Sequence, residues 1–113
     1  MPLESLKDKC VVITGAAQAV GGAIALAMAN EGAKIALVDR TDSAAEKDAL
    51  NAAVADVKAV GAEVLSIAVD VRREEGVAEC HRIVEQAWGT VDVLVNCAKT
   101  AWEGNSWEMS ADE

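Results

Sequence analysis

Between Thr14 and Gly22 the chain reads Thr-Gly-Ala-Ala-Gln-Ala-Val-Gly-Gly, a turn of small residues after an apolar run and before a helical stretch. A glycine-rich turn in that setting frees backbone N–H groups to face a phosphate, and the helix adds the positive end of its dipole. Gly15 suits a tight exit from the strand, and Gly21 lets the helix sit close on the sheet. The general GxGxxG fingerprint fails, because position 17 is Ala; the P-loop fails too, since no Gly-Lys-Ser/Thr follows. By itself the turn is either a nucleotide site or a tight connection. Asp39 adds a second group, eighteen residues past Gly21 and at the end of the next apolar run. A carboxylate there can accept hydrogen bonds from both ribose hydroxyls of an adenosine. It would also repel a 2′-phosphate, so NAD is favoured over NADP, with Arg40 next door softening the preference. Alone, Asp39 would be a solvated acid at a strand end. Asp70 has two readings as well: an acceptor for the adenine amino group, or a helix N-cap for the segment from Arg72.

The elements that must position these groups are regularly punctuated. Cys10 to Thr14 is a short apolar run, and a helix from about Val20 to Glu31 ends at Gly32. Lys34 to Val38 reads as a second strand. Ser43 is the expected N-cap of the next helix, with Glu46 completing a capping box. That helix carries Leu50, Ala53, Val54, Val57 and Val60 at helical spacing and closes at Gly61. Val64 to Val69 is the third strand. A helix over about Arg73 to Trp88 puts Val77, Cys80, Val84 and Trp88 on one face and stops at Gly89, and Val91 to Val95 is the fourth strand. Val- and Ile-rich strands with little alternation belong to a parallel sheet buried on both faces. The order βαβαβαβ with right-handed crossovers predicts a doubly wound α/β sheet. After Asn96 the pattern changes: residues 99–113 form an irregular acidic tail, in which Trp102 and Trp107 either pack against the sheet end or are remnants of an interface.

Composition bounds the partners. The 113 residues carry ten basic and nineteen acidic side chains, a net charge of −9, which argues against nucleic acid and anionic membranes. No secretory signal is visible at the N-terminus, and the apolar stretch from Ala16 to Ala29 is too short to span a bilayer. Hydrophobic residues make up 52% of the chain, enough to build a core and to exclude disorder. Cys10, Cys80 and Cys97 match neither a disulfide framework nor zinc-ligand spacing, as expected of reduced cysteines in a cytoplasmic protein. His81 reads as a partly solvated helix residue.

Taken together, Thr14-Gly15-x-x-x-Ala19-x-Gly21, Asp39, Val69-Asp70-Val71 and Asp92-Val93-Leu94-Val95-Asn96-Cys97-Ala98 resemble the N-terminal half of a short-chain dehydrogenase/reductase. That family's turn is TGxxxGxG, and its fourth strand ends in a DVLVNNAG-like sequence. The resemblance runs from about Leu6 to Ala98. It implies a Rossmann-type half sheet of strand order 3-2-1-4, with residues 1–98 as the dinucleotide-binding half-domain. It also implies that Gly15, Gln18, Val20 and Gly21 line the phosphates and the nicotinamide side. Asp39 would hold the adenosine ribose, and Asp70 with Val71 the adenine. Asn96 and Ala98 would lie beside the cofactor, with Asn96 also bracing the sheet.

Two departures bear on binding. Ala19 stands where the family has its middle glycine, so its methyl either weakens cofactor binding or strains the turn if a positive φ is needed. Lys99 replaces the glycine closing the fourth-strand motif, and either crowds the cofactor or points to solvent. The family's catalytic Ser and Tyr-x-x-x-Lys are missing, and the sequence contains no Tyr. The expectation is therefore a truncated NAD-dependent oxidoreductase acting on an alcohol or carbonyl, inactive alone, with no catalytic residue assigned. The alternative is a non-catalytic NAD(H)-binding module or interaction fragment that self-associates or pairs with an intact homologue.

Overall fold

The computed structural model describes residues 5–97. Strands and helices alternate as β1 (Cys10–Thr14), α1 (Ala19–Ala29), β2 (Lys34–Asp39), α2 (Ala44–Ala59), β3 (Val64–Ala68), α3 (Glu74–Trp88) and β4 (Val93–Asn96). The sheet order is β3-β2-β1-β4. All three pairings are parallel, with Val12 opposite both Ala36 and Leu94. The doubly wound α/β expectation holds. Strand order reverses at β1, so a crevice opens at the carboxyl ends of β1 and β4, where sheets of this kind take their ligands.

Alternation along the strands sorts the core into two layers. Val11, Ile13, Ile35 and Leu37 face α1 and α2, while Val12, Ala36, Val38 and Ile67 face α3. Burial on both faces holds for the central strands β1 and β2. It does not extend to β4, where Leu94 is 64% exposed, because a strand at the sheet margin has fewer helices over it. α1 buries only Gly21, Ala25 and Ala29, a stripe four residues apart whose small side chains bring the helix close to the sheet.

The helix ends follow from local chemistry. α1 stops at Ala29, two residues earlier than its periodicity predicts. Gly32 takes φ 95°, and its N–H and that of Ala33 turn back to the carbonyls of Ala29 and Met28. At α2, Ser43 Oγ accepts from Glu46 N (3.1 Å) and Glu46 Oε1 accepts from Ser43 N (3.2 Å), the expected capping box. Ser43→Ala is accordingly expected to lower stability by about 1 kcal/mol, read as a lower urea midpoint at unchanged m-value. On α2, Leu50 and Val57 are buried, while Val60, just past the helix end, is exposed; on α3, Cys80 and Val84 are buried but Val77 is not. The helical spacing holds, and one end of each stripe is left exposed.

β4 begins at Val93 rather than Val91. Asp92 instead ties the two strands at their entry: its N–H donates to Cys10 O and its Oδ2 accepts from Cys10 N, both at 2.8 Å. No helix among the described residues is long and apolar enough to cross a membrane. Ala98, Lys99 and the expected tail with Trp102 and Trp107 lie outside the described residues.

Candidate functional site

The turn after β1 is held at the crevice by its own backbone. Gly15 has φ 72°, a left-handed conformation that a side chain disfavours. Ala16 N donates to Val38 O (3.1 Å) and Gln18 N to Gly15 O (3.1 Å). α1 then starts with no side-chain cap from Gln18 and no acid in its first turn. The first amides of a helix have no intrahelical acceptor. Here they form a donor cluster at the dipole's positive end, with no acid of the helix's own first turn to occupy them. The cradle depends on Gly21, since a Cβ there would come within 2.5 Å of Gly15 O.

Ala19 is the first residue of α1 and is exposed. Asp8 is the one non-glycine with positive φ among the described residues, so the strain considered for Ala19 does not arise. Ala19 takes its place in α1 without a positive φ. Val20, beside it, is 65% exposed at the mouth of the turn.

Asp39 closes the second side of the site. Its Oδ2 accepts from Ala17 N and its Oδ1 from Arg40 N, both at 2.8 Å. The acid at the end of β2 therefore reaches the turn directly, and both its oxygens carry a backbone donor. Arg40 faces Asp42 (3.6 Å) and Glu46 (3.9 Å) in two long ion pairs.

Asp70 is also already engaged. Oδ1 accepts from Arg72 N and Arg72 Nε (both 3.0 Å), and Oδ2 from Arg72 Nη2 (2.9 Å). The guanidinium and the backbone N–H of Arg72 hold its carboxyl well below the usual carboxylate range. The N-cap of α3 is Arg73, without a side-chain cap bond. Asp70 thus closes an Asx turn before the helix rather than capping it, which corrects that alternative.

At the third side, Thr14 Oγ1 donates to Asn96 Oδ1 (2.7 Å), and Cys97 N donates to Thr14 O (3.0 Å). The pair ties the carboxyl ends of β1 and β4. Thr14, buried at 6% exposure, joins the candidate site; the motif quoted it at the head of the turn without giving it a role. A polar residue closing an otherwise apolar strand was a further signal for it. Thr14, Gly15, Gln18, Val20, Gly21, Asp39 and Asn96 come together along one edge of the sheet; Asp70 and Val71 stand at the end of β3, and Ala98 is not described.

Sequence reading also missed a groove of about 340 Å³ between α3 and the β1–β4 side of the sheet. Val12, Val71, Val77, Val84 and Leu94 give it an apolar wall, and Thr14 and Asn96 stand at its site end. The described residues hold no cluster of three or more metal-ligating side chains. Burial pushes the Cys10 and Cys80 thiols up, which keeps them protonated and poorly nucleophilic. His81 is exposed, 3.6 Å from Glu85.

Comparison with known proteins agrees with this fold. Residues 9–113 match the family model for short chain dehydrogenase. A CLA biosynthesis dehydrogenase/reductase of Lactiplantibacillus plantarum is 34% identical over 95% of this chain and 36% of its own length. The 2,3-dihydro-2,3-dihydroxybenzoate dehydrogenase of Bacillus subtilis (strain 168) is 34% identical over 100% of this chain and 41% of its own. Among solved structures, an NAD+-bound xylitol dehydrogenase superposes with a TM-score of 0.73 at 36% identity, covering 80% of this chain and 33% of that one. The chain spans about two-fifths of the length of the curated relatives it matches.

Proposed function

Because the chain belongs to the short-chain dehydrogenase family, we propose that its residues 1–98 are the dinucleotide-binding half-domain of an NAD(H)-dependent oxidoreductase. The observation that carries this reading is the junction of β1, α1 and β2. There an uncapped helix N-terminus opens beside a carboxylate 2.8 Å from the turn. The residues fit the cofactor: Gly15, Gln18, Val20 and Gly21 would face its phosphates and nicotinamide side, and Asp39 its adenosine ribose. Asp70 and Val71 would border the adenine, and Asn96 and Ala98 the far side. Bound there, the nicotinamide would supply hydride transfer to or from an alcohol or carbonyl. What these residues do is bind and orient it. No general acid or base is assigned among them, and the 113 residues contain no Tyr.

NAD is favoured over NADP on two grounds. Asp39 sets a negative charge where a 2′-phosphate would lie, and Arg40 already faces Asp42 and Glu46. The similar xylitol dehydrogenase was solved with NAD+. The reading also takes a cytoplasmic setting, which reduced cysteines support.

A second reading, a cofactor-binding module that pairs with another polypeptide, is favoured by the apolar groove beside Leu94, since exposed apolar patches of this kind commonly mark contact surfaces. Calorimetric titration tests the shared premise. Saturable NADH binding is expected, at least about tenfold tighter than NADPH, and reduced at least about tenfold in Asp39→Ala, the scale of a lost charge-assisted contact. Tighter NADPH binding would overturn the cofactor preference. No binding by the folded chain would sink the binding reading itself.

A further inference from the structure

The hydrogen bonds of Asp39 point inward, to the protein's own backbone. Ala17 N–H donates to Oδ2 and Arg40 N–H to Oδ1, at 2.8 Å each. The preceding turn amide, Ala16 N–H, donates to Val38 O at 3.1 Å. Two consecutive amides of the glycine-rich turn are therefore fastened to two consecutive residues of β2, one through a carbonyl and one through a side chain. Ala17 itself is only half-buried and lies outside any helix or strand, so no ladder holds its N–H in place.

We infer that Asp39 is a positioning residue for the turn: its carboxylate latches Ala17 to the end of β2 and so fixes where the turn delivers the open first amides of α1 before any nucleotide arrives. The role deepens the nucleotide-binding reading and rests on it for its ligand, but the latch itself exists in the free protein. It is compatible with a ribose contact. An ionised carboxylate has about four acceptor sites, and the two backbone donors use two of them. The same two donors fix the plane of the carboxylate, so its remaining lone pairs are aimed before binding. An amide at this position cannot reproduce the arrangement, because its NH2 end would confront an N–H donor. A cofactor switch made at Asp39 alone would accordingly loosen the phosphate side while altering the ribose side.

Two measurements test the latch, on wild type, Asp39→Ala and the near-isosteric Asp39→Asn. The first is amide hydrogen exchange in the free protein. Ala17 is expected to exchange at least about tenfold faster in Asp39→Ala, the scale of one lost hydrogen bond to a charged group. Val12 and Ile13 should keep their protection, which excludes general unfolding. Asp39→Asn, which preserves volume, is expected to speed Ala17 exchange too. Equal Ala17 exchange in all three proteins overturns the proposal.

The second measurement compares ADP with 2′,3′-dideoxyadenosine diphosphate, which carries no ribose hydroxyl for Asp39 to accept from. The expected result is a several-fold loss of affinity in Asp39→Ala for both ligands. Removing a negative charge would by itself favour the diphosphate, so a loss has the sign that only a disordered turn produces. A loss confined to ADP reduces Asp39 to a ribose contact and overturns the positioning role. If neither ligand binds wild type, the nucleotide reading fails, and the exchange result alone decides whether the latch exists.

Discussion

Gly76→Ala is expected to lower the thermal midpoint by roughly 8–16 °C while leaving Gly22→Ala, its control, at or above wild type. Gly76 lies in the first turn of α3, where the helix backs onto the strand end that precedes it. A Cβ at Gly76 would lie 2.0 Å from Asp70 O and 2.7 Å from the Asp70 carbonyl carbon. Both neighbours are backbone, and no side chain can swing away. Relief requires α3 to lift off the end of β3, or the Asx turn at Asp70 to open and release Arg72. Overpacking of this kind costs about 3 kcal/mol, and Ala returns about 1 kcal/mol of helix propensity, leaving about 2 kcal/mol of net destabilisation. At roughly 4–8 °C per kcal/mol for a domain of this size, the shift follows. A Cβ at Gly22 meets nothing nearer than 3.8 Å, so Gly22→Ala gains propensity with little steric penalty. Melting followed by circular dichroism checks both, and an unchanged midpoint for Gly76→Ala refutes the contact.

Asp70 illustrates what could be read from the chain and what could not. Its partner, Arg72, is two residues away, and an acid followed by two arginines at a strand end is the local pattern of an Asx turn with an ion pair. That contact was legible in principle. The capping box at Ser43 and Glu46 is of the same local kind and was read directly. The doubly wound sheet followed from the alternation of β-rich and helical runs, because right-handed crossovers leave few ways to assemble βαβαβαβ; its strand order was what the family resemblance implied.

The contacts that shape the site are of another sort. Thr14 meets Asn96 across 82 positions of sequence, and Asp39 meets Ala17 across 22. Motif spacing put these residues in one neighbourhood without saying which atoms pair. Asp39 was legible as an acid at a strand end with a view of a ribose; its two backbone donors were not, since they depend on how closely the turn folds over β2. Val77 and Leu94 mark a different gap. Their spacing shows that each sits on an apolar face, but periodicity is silent on whether another element covers that face. Ala19 is the converse case: motif comparison flagged it as a departure that could force a positive φ, and its place as the first residue of α1 removes that difficulty.

Gly21→Ala is expected to weaken NADH binding roughly a hundredfold and to lower stability at the same time. Gly21 is buried at the third position of α1, and a Cβ there would come within 2.5 Å of Gly15 O and 3.1 Å of Ala16 Cα. Gly15 is constrained in turn, because its φ of 72° makes it the pivot of the turn. Two outcomes of the clash are available: α1 moves away from the sheet, or the turn shifts toward the crevice. Displacing α1 uncovers the small-residue stripe of Ala25 and Ala29 and costs about 1–3 kcal/mol as overpacking, partly offset by helix propensity. Displacing the turn breaks the Ala16–Val38 and Ala17–Asp39 bonds that hold it against β2. Either way the donor cluster and the helix terminus cease to share one focus. A misplacement of about 1 Å at an oriented site is enough to cost roughly a hundredfold. The adjacent Gly22→Ala separates this geometry from a general intolerance of methyl groups in α1, since it should bind NADH as wild type does. Calorimetry on the three proteins at equal folded fraction makes the comparison. NADH affinity in Gly21→Ala within about threefold of wild type would mean that the close approach of α1 to the turn does not form the phosphate site, against a predicted loss of roughly a hundredfold.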